Sequence, residues 1–251
     1  MRKKMPMLLE SPEPQVVGVT ALFSILCFFS LPFILMLIMG GFQNNLLVLS
    51  WCEIAFHLFN FGVMVSLFKD YLQEALDMLR IHKQKILRTV AVAAVMILAV
   101  MILWFYLLSL TRWDIFYIAS FGTVPMSEMD LFTLSADVVI ANPVFGTLCM
   151  VVLTPVTLSC IYYAVGFVPA YNVRPWLGYI VVAAVIAFPR ICNAITYWDA
   201  TQQMVSYITH LPVQLIACWA YRRTDNVWTP IVLHAVTNLV ACLLLILVYV
   251  L

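Results

Sequence analysis

Residues 90–110 read VAVAAVMILAVMILWFYLLSL, from Val90 to Leu110, without one charged side chain. At a rise of about 1.5 Å per residue, a helix of this run crosses the roughly 30 Å hydrocarbon core of a bilayer. The stretch before it, Lys69 to Arg88, has the opposite character. Leu72, Leu76, Leu79, Lys83 and Ile86 fall there at helical spacing among Lys, Arg, Glu and Asp. That pattern predicts a solvated or interfacial cytoplasmic helix rather than a specific lipid or partner site.

Working outward, the same alternation of apolar block and short polar break fills the chain. Upstream lie blocks at about Val16 to Gly40 and Leu46 to Phe68. Downstream lie Val144 to Val168, Trp176 to Trp198, Met204 to Tyr221 and Val227 to Leu251. The first block follows the basic start Arg2-Lys3-Lys4, is too long for a signal-peptide core and has no Ala-x-Ala site near its end, so it reads as a retained span. Between residues 111 and 143 the sequence predicts an external loop from Thr111 to Glu128. A segment from Leu131 to Asn142 then lies partly in the interface, with Asp137 and Pro143 marking the break. The expectation is an all-α polytopic bundle of about seven membrane helices in one domain. Its first three spans (16–110) carry the cytoplasmic helical loop 69–88, and its core runs over 145–251.

Composition agrees. Of 251 residues 65% are hydrophobic and 10% charged, against about 25% charged in a soluble domain. Mean hydropathy is +1.03. With a net charge of +1 and no basic patch interleaved with aromatics, no nucleic-acid partner is expected; the bilayer is. Placing the amino terminus inside puts 11 of the 13 basic residues on the cytoplasmic side, leaving Arg112 outside and Arg190 within a span. The carboxyl terminus is then external. All seven cysteines fall in apolar blocks, without disulfide or zinc-type spacing.

The candidates for chemistry are polar groups at membrane depth, where a charge costs roughly 2.5–3.5 kcal/mol on insertion scales. Glu53 and His57 are four apart on one helix face, suited to pairing, to cation binding or to bracing two helices. Arg190, after the kink-forming Pro189, is placed to pair with Glu53 or Asp137. Cys192 sits two residues from Arg190, but without a demonstrable histidine partner it reads as a small apolar residue rather than a nucleophile. His210 either lines a cavity or sits near the interface. His234 and Asn238 form His-x-x-x-Asn, which projects imidazole and amide from one helix face. Such a pair can hold a metal, orient a water, stabilise an oxyanion or simply fix helix packing.

The longer run from Tyr221 to Asn238, with Arg223-Thr224-Asp225-Asn226-Val227-Trp228-Thr229-Pro230-Ile231 ahead of His234, resembles the last motif of the CAAX protease and bacteriocin-processing (Abi) family of intramembrane proteases. The resemblance extends back to about Phe145. The family's Pro-x-x-Glu-Glu-x-x-x-Arg-Gly motif aligns with Pro155 to Ala164, where both glutamates and the arginine are missing. Its Phe-x-x-x-His motif aligns with Phe188 to Cys192, where Cys192 takes the histidine's place. The resemblance implies a bacterial intramembrane endopeptidase in which a glutamate activates water while histidines and asparagine position it, sometimes with a divalent metal.

Leu158 cannot accept a proton and Ser159 is a poor base, and losing a positioned base costs on the order of 100- to 10,000-fold in rate. The leading expectation is therefore a protease-like protein, catalytically impaired, that binds a peptide or partner membrane protein. One alternative is an active endopeptidase using His234 and Asn238 with Glu53 as replacement base. Another is a small-solute or ion transporter built on Glu53, His57 and Arg190, although the chain lacks inverted repeats and has few glycines. The remaining metal donors among the motif positions are His234, Asn238 and Cys192.

Overall fold

A computed structural model describes residues 15, 17–23, 46–110, 139, 141–197 and 200–250. Most of the first expected span and the whole of 111–138, with Arg112, Asp114 and Asp137, lie outside the described residues. Residues 17–23 are helical. Beyond them run α1 (Leu46–Leu67), α2 (Lys69–Leu110), α3 (Pro143–Val173), α4 (Pro175–Tyr197), α5 (Ala200–Thr224) and α6 (Trp228–Val250). Among the described residues three stretches are long and apolar enough to cross a membrane: Ser50–Leu67, Lys69–Trp104 and Pro143–Val173. Shorter apolar runs occupy Pro175–Phe188 and Trp228–Val240. The elements among the described residues are all helical, and with three apolar helices of spanning length the chain is a multi-pass membrane protein.

The polar stretch 69–88 does not end where the apolar run begins: from Lys83 its last turns continue into 90–110 as one helix. The break falls earlier, inside the polar stretch, at the kink of His82 (φ −107°, ψ 23°) in α2. Past that break the helix is two-faced. Ile86, Val90, Ala93 and Ile97 are buried, while Val92, Val95, Leu98, Ile102 and Tyr106 are exposed. This three-to-four-residue recurrence is that of a helix packed on one side only. The outward face is apolar, as a lipid contact requires.

The central element is α3, with 67% of its apolar stretch buried against 28% for that of α2. It packs on α1, α4 and α6. Two widened π turns interrupt it, Cys149–Leu153 and Cys160–Phe167. Each ends two residues before a proline, Pro155 and Pro169. A proline ring clashes with the carbonyl one turn earlier and lacks the N–H to bond it. A wider turn relieves both conflicts and lets the helix run on. Pro143 opens α3 as a first-turn residue, where its missing N–H costs nothing. The preceding Asn142 donates its amide to Ser50 Oγ, tying the start of α3 to α1.

A tight turn joins α5 to α6. Asp225 takes a left-handed conformation (φ 49°) and pairs with Arg222 at 2.5 Å. Asn226 Oδ1 accepts the Trp228 N–H at 2.8 Å. The same two side chains reach α2: Asn226 Nδ2 donates to the Ala75 carbonyl at 2.7 Å and Trp228 Nε1 to the Leu72 carbonyl at 3.1 Å. The first turns of α2 are thereby fastened across the α5–α6 turn.

Candidate functional site

His234 sits two turns into α6 and is 5% exposed. Its neighbours come from two other helices. Gln214 of α5 offers Oε1 at 3.1 Å from His234 Nε2, and Tyr163, in the second π turn of α3, places its hydroxyl 3.4 Å from the same nitrogen. The Tyr163 O–H donates to Gln214 Oε1 at 2.8 Å. An amide oxygen can only accept, so His234 Nε2 carries the hydrogen. In the neutral ring Nδ1 is then an acceptor, and it has no partner among the described residues.

Around this triad the walls are aromatic. Tyr163 stacks on Tyr221 with ring centroids 6.0 Å apart and 9° between planes, and Phe167 meets Tyr221 edge-on at 5.9 Å. Tyr221 and Tyr71 share a hydrogen bond between hydroxyls at 3.2 Å. Tyr171, packed on Phe167, carries the Arg222 guanidinium 5.1 Å from its ring centre. Aromatic rings thus fill the space between buried His234 and Arg222 at the end of α5.

Asn238, one turn beyond His234, turns to a different task. Its Nδ2 donates to the Met150 carbonyl at 2.8 Å, joining α6 to the first π turn of α3. On α3 itself, Thr154, Leu158 and Ser159 are all buried, and the hydroxyls of Thr154 and Ser159 have no hydrogen-bond partner among the described residues. Thr157 bonds back to the Leu153 carbonyl at 3.0 Å.

Comparison with known proteins matches residues 140–240 to the family described as type II CAAX prenyl endopeptidase, Rce1-like. The chain carries an Rce1-like domain. The match covers α3, α4, α5 and most of α6, including His234 and Asn238. No curated protein and no solved structure matches the chain.

Within the Rce1-like domain the structure brings His234 into a polar cluster and directs Asn238 to a backbone carbonyl. His57 is buried in α1, outside the domain, edge-on to Phe56 with centroids 6.1 Å apart. His210 is half-buried on α5. The side chains of Glu53, Arg190 and Cys192 lie outside the described residues. Among the described residues no three of His, Cys, Asp and Glu converge as a metal would need. The groups hydrogen-bonded to His234 are a phenol and an amide, a poor set for a divalent ion.

Sequence reasoning missed Tyr163 and Gln214, the two side chains that hold His234. Gln214 carried a usable signal, since an amide inside an apolar block must find a partner or lose its hydration uncompensated. Tyr163 carried little, because tyrosine is common in such helices. Of the described cysteines, Cys52, Cys149, Cys160, Cys218 and Cys242 are free thiols, all but Cys52 buried.

Proposed function

We propose that this Rce1-like membrane protein does not hydrolyse peptides and acts by binding a peptide segment or a partner membrane protein. The observation that carries the reading is the hydrogen-bonding of His234. Its Nε2 is spent on Gln214 and Tyr163, and among the described residues no carboxylate is a hydrogen-bond partner of the ring. In the alignment with the family's glutamate motif, Leu158 and Ser159 stand at the glutamates and Tyr163 at the arginine. The position that would hold a charged side chain is filled by a phenol donating to an amide. Among the described residues, nothing beside His234 takes the proton of an attacking water at neutral pH.

The test is hydrolysis of a prenylated CAAX peptide by the full chain in proteoliposomes. The expected rate is that of protein-free vesicles. Cleavage above that level, lost in His234→Ala while the protein stays folded, overturns the proposal. In-membrane photo-crosslinking from positions on the Rce1-like domain should capture a defined protein or peptide species.

A second reading has one observation in its favour. Helix α1, which carries Glu53, packs against the Thr154–Ser159 turns and the first π turn of α3. A replacement base supplied from α1 would restore water activation beside His234. It requires cleavage that is abolished in both Glu53→Gln and His234→Ala; cleavage indifferent to Glu53→Gln removes it.

A further inference from the structure

Residues 80–88 of α2 read RIHKQKILR, with four cations, Arg80, Lys83, Lys85 and Arg88, and no acidic residue. The acidic residues of this helix, Asp70, Glu74 and Asp77, all lie earlier, in the part fastened to Asn226 and Trp228. Only Arg80 is paired, with Asp77 at 3.0 Å. Among the described residues Lys83, Lys85 and Arg88 form no ion pair and are exposed. The acids of α2 therefore all precede the break at His82, and the unpaired cations Lys83, Lys85 and Arg88 all follow it.

Register places these cations relative to the bilayer. Lys85, Arg88, Val92 and Val95 follow one another at helical spacing on one face, and that face continues outward as Ile102 and Tyr106. From Val92 to Leu110 a helix rises about 28 Å, close to the thickness of the hydrocarbon core. With that stripe in lipid tails, Arg88 and Lys85 stand at headgroup level, and Lys83 lies just above. Two large apolar side chains lie among the cations, Ile81 at 69% and Leu87 at 62% exposure. In water they are an unfavourable display; at the interface they enter the acyl boundary while the basic side chains reach the phosphates.

In place of the merely solvated or interfacial helix expected from the sequence pattern, we propose that residues 81–88 form a binding surface for the headgroups of anionic phospholipids. Charge decides the occupant. Three unpaired cations with no local acid favour a lipid of net negative charge over a zwitterionic one, by a factor of about five per cation near the surface. The surface is independent of the Rce1-like domain's chemistry, and it stands whether or not the protein hydrolyses peptides.

The experiment uses the full chain in nanodiscs of phosphatidylcholine mixed with phosphatidylglycerol, with retained lipid counted by native mass spectrometry after release into detergent. The wild type should retain phosphatidylglycerol in preference to phosphatidylcholine. The variant K83Q/K85Q/R88Q should lose most of that preference, by tenfold or more. The charge-conserving K83R/K85R should keep it, and K69Q, which removes a cation elsewhere on α2, should also keep it. Equal retention of the two lipids by the wild type overturns the proposal. So does an unchanged preference in the triple variant, a loss as large in K69Q, or displacement of the lipid by inorganic phosphate.

Discussion

Tyr163 and His234, 71 positions apart in sequence, donate to one oxygen, Oε1 of Gln214. The three residues come from α3, α6 and α5, so a single amide oxygen joins three helices of the Rce1-like domain. Water is scarce at such depth, and a donor that loses its acceptor finds no replacement.

Gln214→Leu should therefore lower stability by about 2–4 kcal/mol, since it strands two buried donors at about 1–3 kcal/mol each. Tyr163→Phe, which removes one donor together with its hydroxyl, should cost only about 0.5–1.5 kcal/mol. Chemical unfolding in detergent micelles ranks the two. Equal midpoints would mean that the shared oxygen contributes nothing.

The amide of Asn238 reads as a tie between α6 and the first π turn of α3. Asn238→Ala should reduce stability by about 0.5–1.5 kcal/mol through loss of the bond to Met150. Asn238→Asp should be worse, because a carboxylate would face a carbonyl oxygen with no proton between them. Thermal melts of the two variants decide it, and an Asp variant as stable as wild type would remove the bond from the account.

The start of α2 is held through Asn226 and Trp228. Asn226→Ala removes both the Ala75 bond and the Trp228 N–H acceptor, cutting one tie to α2 and leaving a turn amide unsatisfied. Limited proteolysis should then cut between residues 69 and 82 several-fold faster than in wild type, with Trp228→Phe intermediate. Protection unchanged in Asn226→Ala would show that apolar packing of Leu72 and Ala75 suffices.

Two glycines should respond oppositely to alanine. A Cβ at Gly178 would lie 3.0 Å from two carbons of the Phe167 ring and from Tyr171 Cβ, and Phe167 is itself wedged among Tyr171, Tyr179 and Tyr221. Gly178→Ala should destabilise by about 1–3 kcal/mol through overpacking. Gly62 meets nothing within 4 Å, so Gly62→Ala should gain up to about 1 kcal/mol of helix propensity. Matched melts test the pair.

Orientation can be read with single cysteines in a background whose native cysteines are replaced. The basic-residue asymmetry predicts that cysteines at Lys83 and Arg174 react with a membrane-impermeant maleimide only from the cytoplasmic face. Labelling of either from outside would reverse the assignment for its loop.

Much of the fold was legible because membrane helices are written in composition. The runs ending at Leu67 and beginning at Pro175 and Trp228 lie within a residue or two of the ends read from hydropathy. That the helix breaks at His82, and that residues 83–88 run on into 90–110, was not legible. A drop in hydropathy marks where a helix leaves lipid and says nothing about whether its hydrogen bonding stops.

By itself, the sequence determined that this chain lives in a bilayer as helices, and it singled out His234 and Asn238 as residues worth finding. Both follow from local properties, the free energy of transferring side chains into lipid and the spacing of residues on one helix. Only the tertiary structure decided what those two residues touch. Hydrogen bonds from His234 to Gln214 and from Asn238 to Met150 join residues 20 and 88 positions apart, and such pairings depend on how helices pack against one another. No periodicity within a single helix records that.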